Sequence, residues 1–70
     1  MYPNLNAEMA RRNFTIEKMV TALNSVGVAM TIGTFSNKRS GKYPFTFNEA
    51  VKIKQVLAVD MSLESLFEEA

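Results

Sequence analysis

Hydroxyl side chains that can cap helices divide this chain into short helical segments. Such a side chain accepts a hydrogen bond from the first turn of a helix, and four of them stand where turns of this kind can begin: Thr15, Thr31, Thr46 and Ser62. Thr46 is followed at the third position by Glu49, which completes a capping box, S/T-x-x-E. No segment alternates apolar and polar residues as a strand would. The sequence therefore predicts an all-α fold of five short helices.

The first two helices are predicted from a start signal, a stop signal and an apolar stripe. The first begins at Pro3 or Asn4 and ends at Asn13, because asparagine tolerates a left-handed backbone. Residues 24–29, which follow the second helix, could extend it, form a loop or combine the two, since Gly27 disfavours a continuous helix. The stripe of the second helix consists of Ile16, Met19, Val20 and Leu23.

The third helix is unusual because, apart from an isoleucine at its start, it contains only one large apolar residue. It is predicted to run from Thr31 to about Arg39 and to stop at Gly41. Phe35 is the expected core anchor of this helix. The other side chains are small or polar and are expected to face outward.

Helical spacing also predicts which side chains of the remaining helices are buried. Leu5 and Met9 share the inward face of the first helix, with Glu8 expected on another side. Val59 is expected to mark a turn. The inward positions of the last two helices are predicted to be Phe47, Ala50, Ile53 and Leu57, followed by Leu63, Leu66 and Phe67.

Length and composition exclude several classes of protein. Seventy residues suffice for one small core, so a single domain over 1–70 is predicted. The chain has no cysteine and no histidine, which removes thiolate metal sites, the commonest zinc ligand and the commonest general base. We therefore expect no enzyme activity, metal, cofactor or small-molecule ligand. The lack of cysteine fits a cytoplasmic location, and no membrane span or signal pattern is recognisable.

Charge is distributed unevenly along the chain. Residues 1–47 carry six cationic and two acidic side chains, whereas residues 48–70 carry two cationic and five acidic ones. One explanation is a basic face for a polyanion with an acidic tail directed away from it. Two ordinary solvated surfaces would give the same counts, so charge alone leaves both explanations open.

A series of short motifs follows the first helix in a recognisable order. These motifs are Thr15-x-Glu17, Met30-Thr31, Lys38-x-x-Gly41-Lys42, Pro44-Phe45-Thr46, Asn48-Glu49-Ala50, Ile53, Val59-Asp60 and Leu63-Glu64-x-Leu66-Phe67. Their order resembles the lambda-repressor-like helix-turn-helix domains of the Xre, or Cro/repressor, type that are common in prophages. The resemblance covers nearly the whole chain and implies a compact five-helix bundle whose helices 2 and 3 form the helix-turn-helix.

In that family the third helix lies in the major groove of DNA, which makes residues 31–39 the implied recognition helix. Asn37 is the best candidate for a bidentate adenine contact, although a solvated or helix-capping role fits it equally well. The implied base-contact residues are Thr31, Ile32, Gly33, Thr34, Ser36, Asn37 and Lys38. The implied phosphate-contact residues are Arg11, Arg12, Arg39, Ser40, Lys42 and Tyr43.

The resemblance implies sequence-specific binding of double-stranded DNA by a small phage-type transcriptional regulator. A single small module binds weakly, so a homodimer on a palindromic operator is expected. Its apolar contact surface is expected in the Ser25–Met30 region or in the last helix. The alternative is a protein-interaction module with a degenerate helix-turn-helix that binds or sequesters another regulator.

Overall fold

Five α-helices and no strands make up the computed structural model, which describes all residues 1–70. The predicted all-α class and the number of helices are therefore confirmed. None of these helices combines the length and the hydrophobicity that a membrane crossing requires. The helices are α1 (Pro3–Arg11), α2 (Ile16–Ser25), α3 (Ile32–Arg39), α4 (Phe47–Leu57) and α5 (Leu63–Leu66).

Four of the helices begin at the predicted capping residues. The hydroxyl oxygens of Thr15, Thr31 and Ser62 each accept a hydrogen bond from the backbone N–H three positions later. In the capping box of α4, the Glu49 N–H donates to Thr46 Oγ1 at 3.2 Å and the Thr46 N–H donates to Glu49 Oε1 at 2.9 Å. Local side-chain chemistry therefore sets these helix starts.

The start of α1 follows a different rule. Tyr2 is the N-cap residue and makes no side-chain capping bond, while Pro3 occupies the first turn, where its missing N–H costs nothing. Asn4, which was a predicted start residue, lies inside the helix. Its Nδ2 donates to the Ser65 carbonyl at 2.7 Å and so connects α1 to α5.

The first three helices end at residues with a left-handed backbone. Asn13, Gly27 and Gly41 have φ angles of 54°, 89° and 94°. At the end of α3 the Lys42 N–H donates to the Asn37 carbonyl, which closes a Schellman motif. A Cβ at Gly41 would lie 2.9 Å from the backbone nitrogen of Met1, so glycine is required there by space as well as by φ. The predicted stops at Asn13 and Gly41 are confirmed.

The segment left open by the sequence combines a helix end with a loop. α2 continues through Ser25, and a fixed loop leads from there to α3. The Asn24 side chain holds this loop, because its Oδ1 accepts from the Met30 N–H at 3.2 Å and its Nδ2 donates to the Met30 carbonyl at 3.1 Å. Val28 and Met30 are buried, so the loop also packs against the core.

Four aromatic rings join α3 to both ends of the chain. Phe35 is fully buried, and its ring centre lies 5.7 Å from that of Phe45 in the loop before α4. Phe45 in turn lies 5.5 Å from Tyr2 and 5.3 Å from Phe67. Tilted and edge-on pairs of this kind add to the stabilisation from apolar burial. The predicted role of Phe35 as the core anchor of α3 is confirmed.

Two sequence expectations about burial are wrong, and one expected turn lies a residue earlier than predicted. Phe47 is 77% exposed, because it lies in the first turn of α4 and Phe45 already supplies the aromatic ring beside Phe35. Val59 is buried, since the left-handed turn comes one residue earlier at Ala58 and directs the following side chain inward. Glu8 is also buried, because two arginines neutralise its carboxylate.

The contrast between Phe35 and Phe47 gives a matched test of the packing. We expect Phe35→Ala to lower the free energy of unfolding by about 3–5 kcal/mol, whereas Phe47→Ala changes it by no more than about 0.5 kcal/mol. Urea unfolding followed by far-UV circular dichroism measures both. Equal destabilisation by the two substitutions would contradict the placement of α3 and α4.

Candidate nucleic-acid interface

α3 presents most of its surface to solvent. Phe35 is its only buried side chain, and α3 has no acidic residue. No Asp or Glu occurs anywhere between Glu17 and Glu49. A polyanion can therefore approach α3 without meeting a negative side chain from this segment. The predicted base-contact residues that are exposed on this surface are Thr31, Ile32, Gly33, Thr34 and Ser36.

Thr31 and Thr34 form a small hydroxyl pair at the start of α3. Thr31 Oγ1 accepts from the Thr34 N–H at 3.1 Å and donates to Thr34 Oγ1 at 2.9 Å. The proton of the Thr34 hydroxyl is then free to be donated outward. Ile32 beside them is 51% exposed, and nothing lies within 4 Å of a Cβ placed on Gly33. The first turn of α3 is therefore narrow and offers both polar and apolar groups.

Lys38 is held by an ion pair instead of extending from α3. Its Nζ lies 2.7 Å from both carboxylate oxygens of Glu49, and the two side chains are only 15% and 12% exposed. This pair ties the last turn of α3 to the first turn of α4. A base contact by Lys38, which the resemblance implied, would require the pair to open.

Glu49 also has an altered pKa. Burial acts to raise the pKa of this carboxyl, but hydrogen bonds from Lys38 and from the Thr46 backbone N–H outweigh burial and lower it. Glu49 thus stays ionised while it serves the capping box and the ion pair together.

Arg11 and Arg12 converge on the buried carboxylate of Glu8. Both guanidinium groups pair with it, and Arg12 also donates to the Glu8 backbone carbonyl at 3.2 Å. The hydrogen bond from Arg12 lowers the pKa of Glu8, burial opposes this, and the charges of both arginines lower it further. Arg11 remains 70% exposed and Arg12 only 32%. Of these two predicted phosphate contacts, Arg11 is therefore the more accessible.

The turn after α3 displays the remaining predicted phosphate contacts. Lys42 and Tyr43 are exposed, and Lys42 Nζ lies 5.8 Å from the centre of the Tyr43 ring. The Ser40 hydroxyl donates to the Asn37 carbonyl at 3.0 Å, and Arg39 is half-buried. Neither Arg39 nor Lys42 forms an ion pair. Their charges are therefore free on the same segment as the exposed face of α3.

The structure thus gathers the predicted residues into two groups. Residues 31–43 belong to α3, its N-cap and the turn that follows it, whereas Arg11 and Arg12 belong to the end of α1 and its C-cap, and α1 packs against α5. No cluster of acidic side chains that could hold a metal ion is present.

Sequence reasoning missed three sets of contacts that hold or surround the predicted residues. The pairing of Glu8 with Arg11 and Arg12 was detectable, because spacings of three and four residues bring helix side chains together. The ion pair between Lys38 and Glu49 was not detectable in the sequence, because it links two helices across a turn. The loop contacts of Asn24 likewise have no local sequence signal.

Comparisons of the chain with models of protein families, with curated proteins and with solved structures give no match. Membership in the Xre-type helix-turn-helix family therefore stays a prediction.

Acid should destabilise the fold through Glu8 and Glu49. Their pKa values are lower in the folded protein, so their stabilising contribution is complete above the ordinary glutamate pKa of about 4.3 and is lost as pH falls through the folded values. Glu49→Gln keeps a capping-box side chain but removes the charge. We expect urea unfolding of this variant to depend less on pH below about pH 5 than that of the wild type.

The matched control for this experiment is Glu64→Gln, because Glu64 is an exposed residue in the first turn of its own helix. It should retain the wild-type dependence on pH. The same dependence in Glu49→Gln and wild type would show that the charge of Glu49 does not contribute to stability.

Proposed function

We propose that this protein binds double-stranded DNA in a sequence-specific manner, as a small phage-type transcriptional regulator whose α2 and α3 act as a helix-turn-helix. The observation that carries the proposal is the acid-free, outward face of α3. A helix that enters the major groove must offer small and polar side chains to base edges while its position stays fixed. Phe35 and the Lys38–Glu49 pair fix α3 from behind.

The first turn of α3 supplies chemistry suited to base edges. The free proton of Thr34 can be donated to a base acceptor, and Ile32 can contact a thymine methyl group. Asn37, which is half-buried near the other end of α3, has a side-chain amide of the kind that reads adenine in two hydrogen bonds.

The turn after α3 supplies charge for the phosphate backbone. Arg39 and Lys42 have no acidic partner, and Tyr43 and Ser40 add hydroxyl groups next to them. Contacts of this kind determine affinity and orientation but carry no sequence information. Arg11 would add a further contact if the DNA extends past α1.

A single copy would contact only a short stretch of DNA. One small module buries about 600–1,000 Å² of protein surface on DNA, which gives modest affinity. Two copies related by a twofold axis would double these contacts on a palindromic operator.

The second candidate function is a protein-interaction module that retains the fold without reading DNA. One observation favours it: three of the predicted DNA-contact cations already form ion pairs within the chain, namely Arg11, Arg12 and Lys38. The two functions differ in whether the purified chain selects any DNA sequence.

Selection of bound duplexes from a random DNA library tests the proposal directly. We expect enrichment of a short palindrome whose half-sites lie about one helical turn, 10–10.5 base pairs, apart. Recovery of all sequences in equal amounts would reject sequence-specific reading, and the protein-interaction function would then be the better explanation.

Two substitutions separate backbone contacts from base contacts. Lys42→Ala should weaken binding to every sequence and lower the slope of log K against log salt by about 0.9, whereas Asn37→Ala should also relax the preference at one base pair. Binding titrations at several salt concentrations measure both effects. Lys52→Ala is the control, because it removes the same charge from α4. An equal loss in Lys42→Ala and Lys52→Ala would place the phosphate contact elsewhere.

A further inference from the structure

Lys38 starts on the same side of α3 as an exposed residue of the proposed interface, yet its charge is held elsewhere. It follows Thr34 by four positions, so the two side chains leave the helix on the same side, one turn apart. Thr34 is exposed, whereas the Nζ of Lys38 lies 2.7 Å from both carboxylate oxygens of Glu49. Of the cations on α3 and its following turn, Lys38, Arg39 and Lys42, only Lys38 is neutralised within the chain.

The capping box does not account for the charge of Glu49. A glutamine at this position accepts the same hydrogen bond from the Thr46 N–H, because only a side-chain oxygen is needed. An ion pair with little exposure is also a weak source of stability, since the lost hydration offsets much of the attraction. Phe35 already anchors α3 in the core. The carboxylate does, however, neutralise a lysine that would otherwise be free beside the exposed face.

We propose that Glu49 limits the sequence-independent attraction between this surface and DNA by holding Lys38 away from the phosphate backbone, and in this way raises the selectivity of the surface. The inference rests on the proposed contact between α3 and DNA. A lysine that reaches a phosphate adds affinity for every sequence alike. In its pair with Glu49, Lys38 instead fixes the last turn of α3, which only the reading of bases requires.

Removal of the Glu49 charge would release Lys38 toward the DNA. The side chain is long and flexible, and its strongly hydrated ammonium group has no other acidic partner within 4 Å. Without the carboxylate, the ammonium group gains hydration by turning outward along the side of α3 that carries Thr34. No Asp or Glu lies between Glu17 and Glu49 to capture it on this segment. The released charge would therefore join those of Arg39 and Lys42.

Binding titrations with a duplex of arbitrary sequence at several salt concentrations test this inference. Glu49→Gln keeps the capping box and frees Lys38. We expect the slope of log K against log salt to steepen by about 0.9 and binding at about 0.1 M salt to tighten roughly fivefold to tenfold. Affinity for a selected operator should rise less, because the last turn of α3 is no longer tied to α4. The ratio of the two affinities should therefore fall.

Two double variants with the same net charge identify the lysine that is responsible. Glu49→Gln with Lys38→Gln should return the slope and the affinity to wild-type values. Glu49→Gln with Lys52→Gln is the matched control, because Lys52 is a half-buried lysine of α4 without an acidic partner. It should bind like Glu49→Gln alone. An unchanged slope in Glu49→Gln would overturn the proposal, and so would equal reversal by the two lysine substitutions, since net charge would then explain the effect.

Acetylation of lysines followed by mass spectrometry tests the wild type itself and does not depend on the folding of a variant. The duplex should slow the acetylation of Lys42 but not that of Lys38, because Lys38 stays with Glu49. Slower acetylation of both lysines would mean that the ion pair opens on DNA, which would also overturn the proposal.

The role of Glu49 and the proposed function can fail separately, because a duplex of arbitrary sequence contains no operator. A library selection that enriches no sequence, together with a steeper slope in Glu49→Gln, would reject sequence-specific reading and retain the effect of Glu49 on Lys38. Enrichment of an operator with an unchanged slope in Glu49→Gln would reject the role of Glu49 and leave the proposed function intact.

Discussion

The burial of Phe35 is the interaction on which the outward surface depends. α3 buries one side chain, so its position is set by that ring and by the Lys38–Glu49 pair at its far end. Phe45 connects Phe35 to Tyr2 and Phe67, which lie near the two ends of the chain. A helix can face solvent on nearly all sides only if the few contacts behind it are strong. The aromatic cluster meets this requirement in a chain with no disulfide to restrain it.

Two glutamates form ion pairs with half of the cationic side chains in residues 1–47. Glu8 binds two arginines and Glu49 binds Lys38, so these cations act first as structural groups. Fewer unpaired positive charges therefore lie near α3 than the residue counts suggest. Those on α3 and on the turn after it belong to Arg39 and Lys42. An anionic partner would meet them at the end of α3, while the first turn of that helix stays neutral. Positive charge and exposed neutral groups thus lie at different ends of one helix.

Local signals explain how much of this structure could be predicted from the sequence. The helix starts at Thr15 and Thr46 and the stops at Asn13 and Gly41 depend on neighbouring residues, so the pattern contained them. The prediction that Phe47 faces inward was wrong. Helical spacing shows which residues share one face of a helix, but it does not show how far along the helix other elements cover that face. The contacts of Lys38 and of Asn24 depend on how separate segments meet in space. For the candidate surface, the extent of α3 could therefore be predicted from the sequence, but the ion pair that already holds Lys38 could not.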